Sequence, residues 1–382
     1  MKSDVKVLDK KSLNNEIVVV VGTRPGIVML APIIHELIKR EVPYFVLHTG
    51  QHYSPNMDAN FFADLHLPPP HFRIEGVSEF KTHGGQTSVM LKGIEDILIE
   101  RRPKLVLVGG DANTNLAGAL AARKLNIGLG HVEAGERSFD WRMPEEHNRR
   151  IIDHISDMLF VTNEKGALNL ENESVQGEVH ATGNTIVDAC INHLEIAKQT
   201  SGMYEKLGLN EGQYILLTTH REENVDNKDN LVGALKGVSD FAATVDLPVI
   251  FLVHPRTDKR LQEFDLLDWA SGLPNIRLSE AANYLDFLKL IAQARIVFTD
   301  SGGVQQESCI VGTPCVTLRE NTEWTETLES GANRLSGCDP EKIVACGRQA
   351  LDAPREWAIP FGDGDASKKI VEISLAYLGK SN

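Results

Sequence analysis

The sequence predicts an α/β protein of two doubly wound, Rossmann-like domains with the active site in the cleft between them. Three observations carry that prediction. Short apolar runs alternate with helical patterns along the chain, which is the grammar of βαβ units and a parallel sheet. The chain has 382 residues, 42% of them apolar, and single cores stop growing near about 250–300 residues. The turns after the apolar runs carry acids, arginines and glycines, and open α/β sheets take ligands outside the carboxyl ends of their strands.

The elements follow in order. Residues 17–21 read as a strand and 27–39 as a helix, then 44–48 and 57–64, 105–108 and 116–124, and 158–162 and 164–170. The run 127–132 is a further strand, and 180–185 reads as the exit toward a second domain. The grammar then repeats with strands at 214–218, 249–253, 276–278, 296–299 and 315–318 and a helical stretch at 230–243. A breaker cluster at 360–365 precedes an apolar-periodic tail at 370–378, the mark of a final helix.

Lys plus Arg number 39 against 53 Asp plus Glu, a net charge of −14, which argues against a nucleic-acid or anionic-membrane surface. Cys190, Cys309, Cys315, Cys338 and Cys346 are scattered without Cys-x-x-Cys spacing, so neither a disulfide framework nor a zinc site is expected and a reducing cytoplasm fits. Residues 1–16 are polar, and no run approaches the roughly 18–20 apolar residues of a membrane span, so secretion and membrane insertion are not expected.

Three acid-bearing turns fall between residues 109 and 146: Gly109-Gly110-Asp111, His131-Val132-Glu133-Ala134-Gly135 and Met143-Pro144-Glu145-Glu146. The β-branched, leucine-rich run 104–108 puts Asp111 at a strand's carboxyl end, and 127–132 puts Glu133 at a neighbouring one. Singly, each acid reads as a helix cap or a partner of the helix dipole, and Pro144 with Glu145 and Glu146 makes a good helix start. Together, crowded carboxylates raise one another's proton affinity and create acid/base pairs.

Two turns are candidate anion sites. Gly22-Thr23-Arg24-Pro25-Gly26 reads equally as a phosphate turn and as a tight βα turn with a surface arginine. It is not the G-x-G-x-x-G fingerprint, and no P-loop lysine occurs, which removes the usual support for NAD or ATP. In Thr299-Asp300-Ser301-Gly302-Gly303, the glycines permit close backbone approach and the serine can cap a helix or bind phosphate. Glu307, one turn on, either accepts from ribose hydroxyls or stabilises the helix dipole by ~0.3–1 kcal/mol. His220, with Arg221 beside it, follows another strand and can shuttle a proton or stabilise a leaving phosphate. His254-Pro255-Arg256 is a plausible anion contact. His48 and His52 have i, i+4 spacing, but Gly50 breaks the helix a metal pair needs, so polar loop roles are expected and no metal. His35 is read as surface or packing, and His131 as a support for the Glu133 turn.

One ordered set joins these motifs: Gly22-Thr23-Arg24-Pro25, Gln51-His52, His83-Gly84-Gly85-Gln86-Thr87, Gly110-Asp111, Gly130-His131-Val132-Glu133-Ala134-Gly135, Pro144-Glu145-Glu146, Thr182-Gly183-Asn184-Thr185, His220-Arg221-Glu222, His254-Pro255-Arg256 and Asp300-Ser301-Gly302-Gly303. It resembles the UDP-N-acetylglucosamine 2-epimerases of the non-hydrolysing type, from about Val18 to the C-terminal helix. The resemblance implies a glycosyltransferase-B-like pair of Rossmann-type domains: residues 1–185, a UDP-binding 186–360, and 361–382 as a helix packing back on the first, usually in a homodimer. It implies a reaction without cofactor, in which UDP leaves C1 as a proton leaves C2, giving a 2-acetamidoglucal, and UDP re-adds with a proton delivered to the other face. By position, Asp111, Glu133 and Glu145 resemble the acid/base carboxylates and His220 the catalytic histidine near the diphosphate. Arg24, Ser301, Gly302 and Gly303 would hold the diphosphate, and Glu307 the ribose. Gln51, Arg221 and His254 match the effector pocket of bacterial members. The expected partner is a UDP-sugar.

Some places depart from the family pattern, one of them beside the sugar. Family members commonly read Gly-Thr-Arg-Pro-Glu with a lysine three residues after that Glu; here those places hold Gly26 and Met29. Ala112 replaces a frequent threonine, Ser54 replaces a glutamine of the bacterial effector site, and Trp324 stands where the simple epimerases often have arginine. Trp324 also resembles the diacetamido-uronate branch. The rival readings are a hydrolysing relative releasing UDP and N-acetylmannosamine, an epimerase of a UDP-diacetamido-uronic acid, a glycosyltransferase of the same fold, and a non-catalytic sugar-nucleotide-binding regulator.

Overall fold

The computed structural model describes residues 8–9, 12–51 and 61–380. The chain divides into two compact units, one taking the residues up to Ala189 together with those from Phe361, the other spanning Cys190–Pro360.

In the first unit the described strands are β1 (Asn14–Val21), β2 (Tyr44–His48), β3 (Phe72–Arg73), β4 (Pro103–Gly109), β5 (Gly128–Ala134), β6 (Met158–Val161) and β7 (Glu178–Ala181). They form one parallel sheet in the order β3-β2-β1-β4-β5-β6-β7. Val18, Val19 and Val20 of β1 and Val106 and Leu107 of β4 have no exposed surface, as parallel strands covered on both faces require. The register Val108↔His131 and Gly109↔Val132 sets the carboxyl ends of β4 and β5 side by side. Asp111 therefore lies two residues past the end of β4, beside the end of β5, which runs on past the expected residue 132 and holds Glu133 as its penultimate residue.

Helix Arg24–Lys39 begins where Thr23 accepts the Gly26 N–H at 3.3 Å and Pro25 occupies the first turn. The final helix, Ala366–Lys380, packs on Arg24–Lys39 and β4. Its start is held by Asp188, which accepts from Ser367 N at 2.8 Å, Ser367 Oγ at 2.6 Å and Ala366 N at 3.3 Å.

In the second unit the described strands are β8 (Ile215–Thr218), β9 (Val249–Val253), β10 (Ile276–Glu280), β11 (Ile296–Thr299), β12 (Cys315–Thr317) and β13 (Asn333–Leu335), ordered β10-β9-β8-β11-β12-β13 and again parallel. Leu217, Phe241, Phe251, Phe298 and Ile343 pack its core. The register Thr299↔Thr218 makes the turns that begin at Thr219 and Asp300 neighbours.

Some expectations change. The helix expected at 57–64 lies partly outside the described residues; 61–64 are helical. His48 is not in a polar loop: it ends β2, is fully buried, and its Nδ1 accepts from Gly50 N at 3.1 Å. His52 and Ser54 lie outside the described residues.

Candidate active site

Gly110 follows β4 at φ +80, a left-handed conformation that turns the chain so that Asp111 leaves the strand axis. Three side chains hold this turn. Asn115 Nδ2 donates to Gly109 O at 2.6 Å, His131 Nε2 lies 3.1 Å from Gly110 O, and Asn148 Nδ2 donates to Asp111 O at 2.8 Å. His131 Nδ1 is in turn 2.7 Å from Asp153 Oδ1, and the fully buried Asp153 also accepts from Gly135 N at 3.2 Å and pairs with Arg137 at 2.8 Å. His131 thus braces both the Asp111 and the Glu133 turns.

Glu133 sits at φ +67, where the β5–β6 register slips between Val132 and Ala134. The slip swings its carboxyl toward β4: Oε2 is 3.5 Å from the point a Cβ on Gly110 would occupy, and Oε1 accepts from Asn184 Nδ2 at 3.4 Å. Burial first, then the nearby Glu136 and Asp111, push the Glu133 carboxyl up to about 8, and Arg149 and Asn184 offset only part of this. Asp111 is ion-paired instead, with Arg149 Nη2 at 2.5 Å from Oδ2. A carboxyl pushed up to about 8 thus lies within electrostatic reach of one that is paired with Arg149.

Arg149 comes from helix Pro144–Ile155 and also contacts Glu146 at 3.2 Å. Glu146 is the buried acid of that helix start, accepting from Ser138 N at 2.8 Å and pairing with Arg150 at 3.1 Å. Glu145 lies in the first turn and, among the described residues, makes no hydrogen bond or ion pair with Asp111 or Glu133. Met29 reaches the Asp111 turn: its Sδ is 3.2 Å from the Cβ position of Gly109 and its Cε 3.5 Å from that of Gly110. A cation there would favour the ionised form of Glu133. Met29→Lys is thus expected to move the Glu133-dependent limb of the pH–rate profile down by about one unit or more; an unmoved limb with unchanged sugar preference would show position 29 to be neutral.

Thr23 accepts from Gly26 N in the first turn of its helix, and Arg24 lies with its guanidinium 5.9 Å from the Phe61 ring centroid. Gln51 Oε1 accepts from both Thr114 N and Thr114 Oγ1 at 2.8 Å, bracing the start of helix Asn113–Lys124. Of the three expected effector residues, Gln51 belongs to the first unit and Arg221 and His254 to the second.

In the second unit Asp300 joins two turns. It is fully buried and accepts from His220 N at 3.0 Å, Arg221 N at 3.0 Å, Thr219 Oγ1 at 2.5 Å and Asn224 Nδ2 at 3.0 Å. The His220 and Ser301 turns are thereby fixed to each other. The His220 and His254 ring centroids are 5.1 Å apart, and burial followed by the His220 neighbour lowers the His254 pKa. Ser301 holds the N-cap of helix Gly302–Val311, yet its hydroxyl accepts none of the helix's N–H groups. Burial pushes the Glu307 carboxyl up to about 8. Trp324 Nε1 stands 3.1 Å from the Cβ position of Gly302, at the same turn.

Sequence reasoning missed Arg149, Asn115, Asn148 and Asp153, and quoted Asn184 in a motif without giving it a role. One signal was present: Glu145-Glu146 followed by Arg149-Arg150 is an i, i+3 and i, i+4 charge lattice on one helix face. The asparagines carry no such pattern.

Two Rossmann-type parallel sheets in one chain, one presenting paired carboxyls at adjacent strand ends and the other a Ser-Gly-Gly turn, define a glycosyltransferase-B-like protein. A family model described as UDP-N-acetylglucosamine 2-epimerase matches residues 35–375, and the chain belongs to that family. It is 46% identical over 359 residues to a UDP-N-acetylglucosamine 2-epimerase of Methanococcus maripaludis, covering 93% of this chain and 97% of that one. It is 34% identical over 370 residues to a UDP-2,3-diacetamido-2,3-dideoxy-D-glucuronate 2-epimerase of Pseudomonas aeruginosa, covering 96% and 99%. The crystal structure of Methanocaldococcus jannaschii UDP-GlcNAc 2-epimerase in complex with UDP-GlcNAc and UDP superposes with a TM-score of 0.81 at 45% identity, covering 95% of this chain and 99% of that one.

Proposed function

We propose that this protein inverts C2 of a UDP-linked 2-acetamido sugar, most simply UDP-GlcNAc to UDP-ManNAc, by eliminating UDP to a 2-acetamidoglucal and adding it back. The observation that carries this reading is the pair at adjacent strand ends, Asp111 ion-paired with Arg149 and Glu133 raised to about 8. Epimerisation through an alkene needs one group to take the C2 proton from one face and another, already protonated, to deliver a proton to the opposite face. Glu133, pushed up to about 8, and Asp111, paired with Arg149, are the two carboxyls of that exchange. In the return direction their roles exchange.

The leaving group is handled by residues of the second unit together with Arg24 of the first. Ser301, Gly302 and Gly303 offer backbone N–H groups to the diphosphate, His220 and Arg24 stabilise its charge as C1–O breaks, and Glu307 takes the ribose hydroxyls. Glu145 serves as a third carboxylate of the sugar site, and Gln51, Arg221 and His254 as an effector site. The five free cysteines support a reducing, cytoplasmic setting, and the resemblance supports a homodimer that supplies an activated amino sugar to polysaccharide synthesis.

Proton NMR with UDP-GlcNAc in D₂O tests the reading. The expected product is UDP-ManNAc carrying deuterium at C2. Free ManNAc with UDP would assign the hydrolysing outcome, and binding without C2 exchange would reject epimerisation of this sugar and make the diacetamido-uronate the substrate to try next.

A further inference from the structure

The Gly302 turn is contested by a carboxylate of the chain itself. A Cβ on Gly303 would meet nothing within 4 Å, but one on Gly302 would lie 2.2 Å from Glu323 Oε1. Glu323 belongs to the loop between β12 and helix Thr325–Glu329. That loop is latched to helix Gly302–Val311, since Thr322 Oγ1 donates to Gln305 Oε1 at 2.5 Å and accepts from Trp324 N at 3.0 Å.

Two arginines hold Glu323 there: Arg319 Nη1 is 2.8 Å from Oε2 and Arg221 Nη2 is 3.5 Å from Oε1. Burial raises its proton affinity, but its own backbone N–H, Arg319 and Arg221 outweigh burial and keep it below the ordinary carboxylate range. Arg319 does not depend on Glu323 for its position, being held also by Glu223 at 3.1 Å and Asn321 at 3.2 Å. The buried Nε–H of Arg221 has no acceptor among the described residues. The Glu323 side chain is 43% exposed, so solvent lies on its way out.

We propose that Glu323 is a built-in competitor for the Gly302 turn, a specificity-determining residue that admits ligands able to displace a carboxylate from Arg221 and Arg319. A phosphoryl group and the Glu323 carboxylate cannot both lie against Gly302, because both are anions and the space beside that Cα takes only one of them. Binding therefore exchanges one anion for the other. A diphosphate offers the two arginines more charge and more acceptor oxygens than Glu323 does, and an uncharged nucleoside offers neither. The inference rests on reading Ser301–Gly303 as the diphosphate turn.

Calorimetric titration of UDP and of uridine into the wild-type protein and Glu323→Gln, at one pH and salt concentration, tests it. Glutamine keeps the shape and removes the competing charge. The expected result is a Kd for UDP roughly tenfold tighter in the variant, about 1.4 kcal/mol, with uridine unchanged. UDP affinity that is unchanged or weaker, or UDP and uridine moving together, would overturn the competition. UDP binding no tighter than uridine in the wild-type protein would overturn the diphosphate reading of the turn, and the competition with it.

Discussion

Glu133→Gln is expected to lower kcat by ~10²–10⁴-fold with UDP affinity retained, the loss that follows removal of a general acid/base group. It should also change how stability depends on pH. The native Glu133 carboxyl keeps its proton up to about 8, while the unfolded chain releases it near 4.5. Between those values the native state carries the extra proton, so wild-type stability falls as pH rises through this window and the deficit is complete above about 8. The interval, 8 minus 4.5, sets a ceiling of about 5 kcal/mol. Glutamine has no proton to lose, so the variant's advantage in Tm should be absent at the acid end and largest at pH 8 and above. Calorimetric melting across pH 5–9 measures this. Parallel curves would mean that Glu133 is ionised in the native protein, and near-normal turnover would remove it from the mechanism.

Asp111→Asn is expected to cost at least ~10²-fold in kcat, and to leave a second mark on Glu133. Asp111 is one of the like charges that raise the Glu133 carboxyl, and it takes Arg149 at 2.5 Å. Removing its charge ends the repulsion and frees Arg149 to favour ionised Glu133. The residual activity should therefore show its Glu133-dependent limb at lower pH than in the wild type. A profile that keeps its shape while the rate falls would place Asp111 outside electrostatic reach of Glu133. The same assay on Glu145→Gln decides whether the third acid takes part: a loss of at least ~10²-fold is expected for a proton-transfer group, and near-normal rates would remove Glu145.

The interior strands were legible because buried parallel strands are continuous apolar runs; residues 44–48 and 249–253 form strands with those bounds. β3 and β13 were not, having two and three residues, nor was β7, whose side chains are mostly exposed. The long helix His83–Arg101 was also missed, although Thr82 caps it by accepting from Gly85 N at 3.2 Å, a signal visible as Thr-His-Gly-Gly. In the site, Asp111 and Glu133 could be found because each directly follows or closes a strand. Their modifiers could not: Arg149 lies 38 residues from Asp111 and Asn184 lies 51 from Glu133, and the sheet order alone brings them together. Protonation was equally hidden, because burial, joined at Glu133 by like charge, and not residue type raises Glu133 and Glu307 to about 8.

The left-handed backbone of Glu133 has a consequence for anyone who evolves this protein in the laboratory. At φ +67 a residue with a Cβ is held in a sparsely populated conformation, at a cost of ~1–3 kcal/mol, and glycine would occupy it without strain. Glu133→Gly would relieve that strain and the buried proton together, so a selection that rewards heat resistance alone leads toward this substitution. The most stable descendants of such a lineage would be inert, and a screen for robust variants has to demand product in every round.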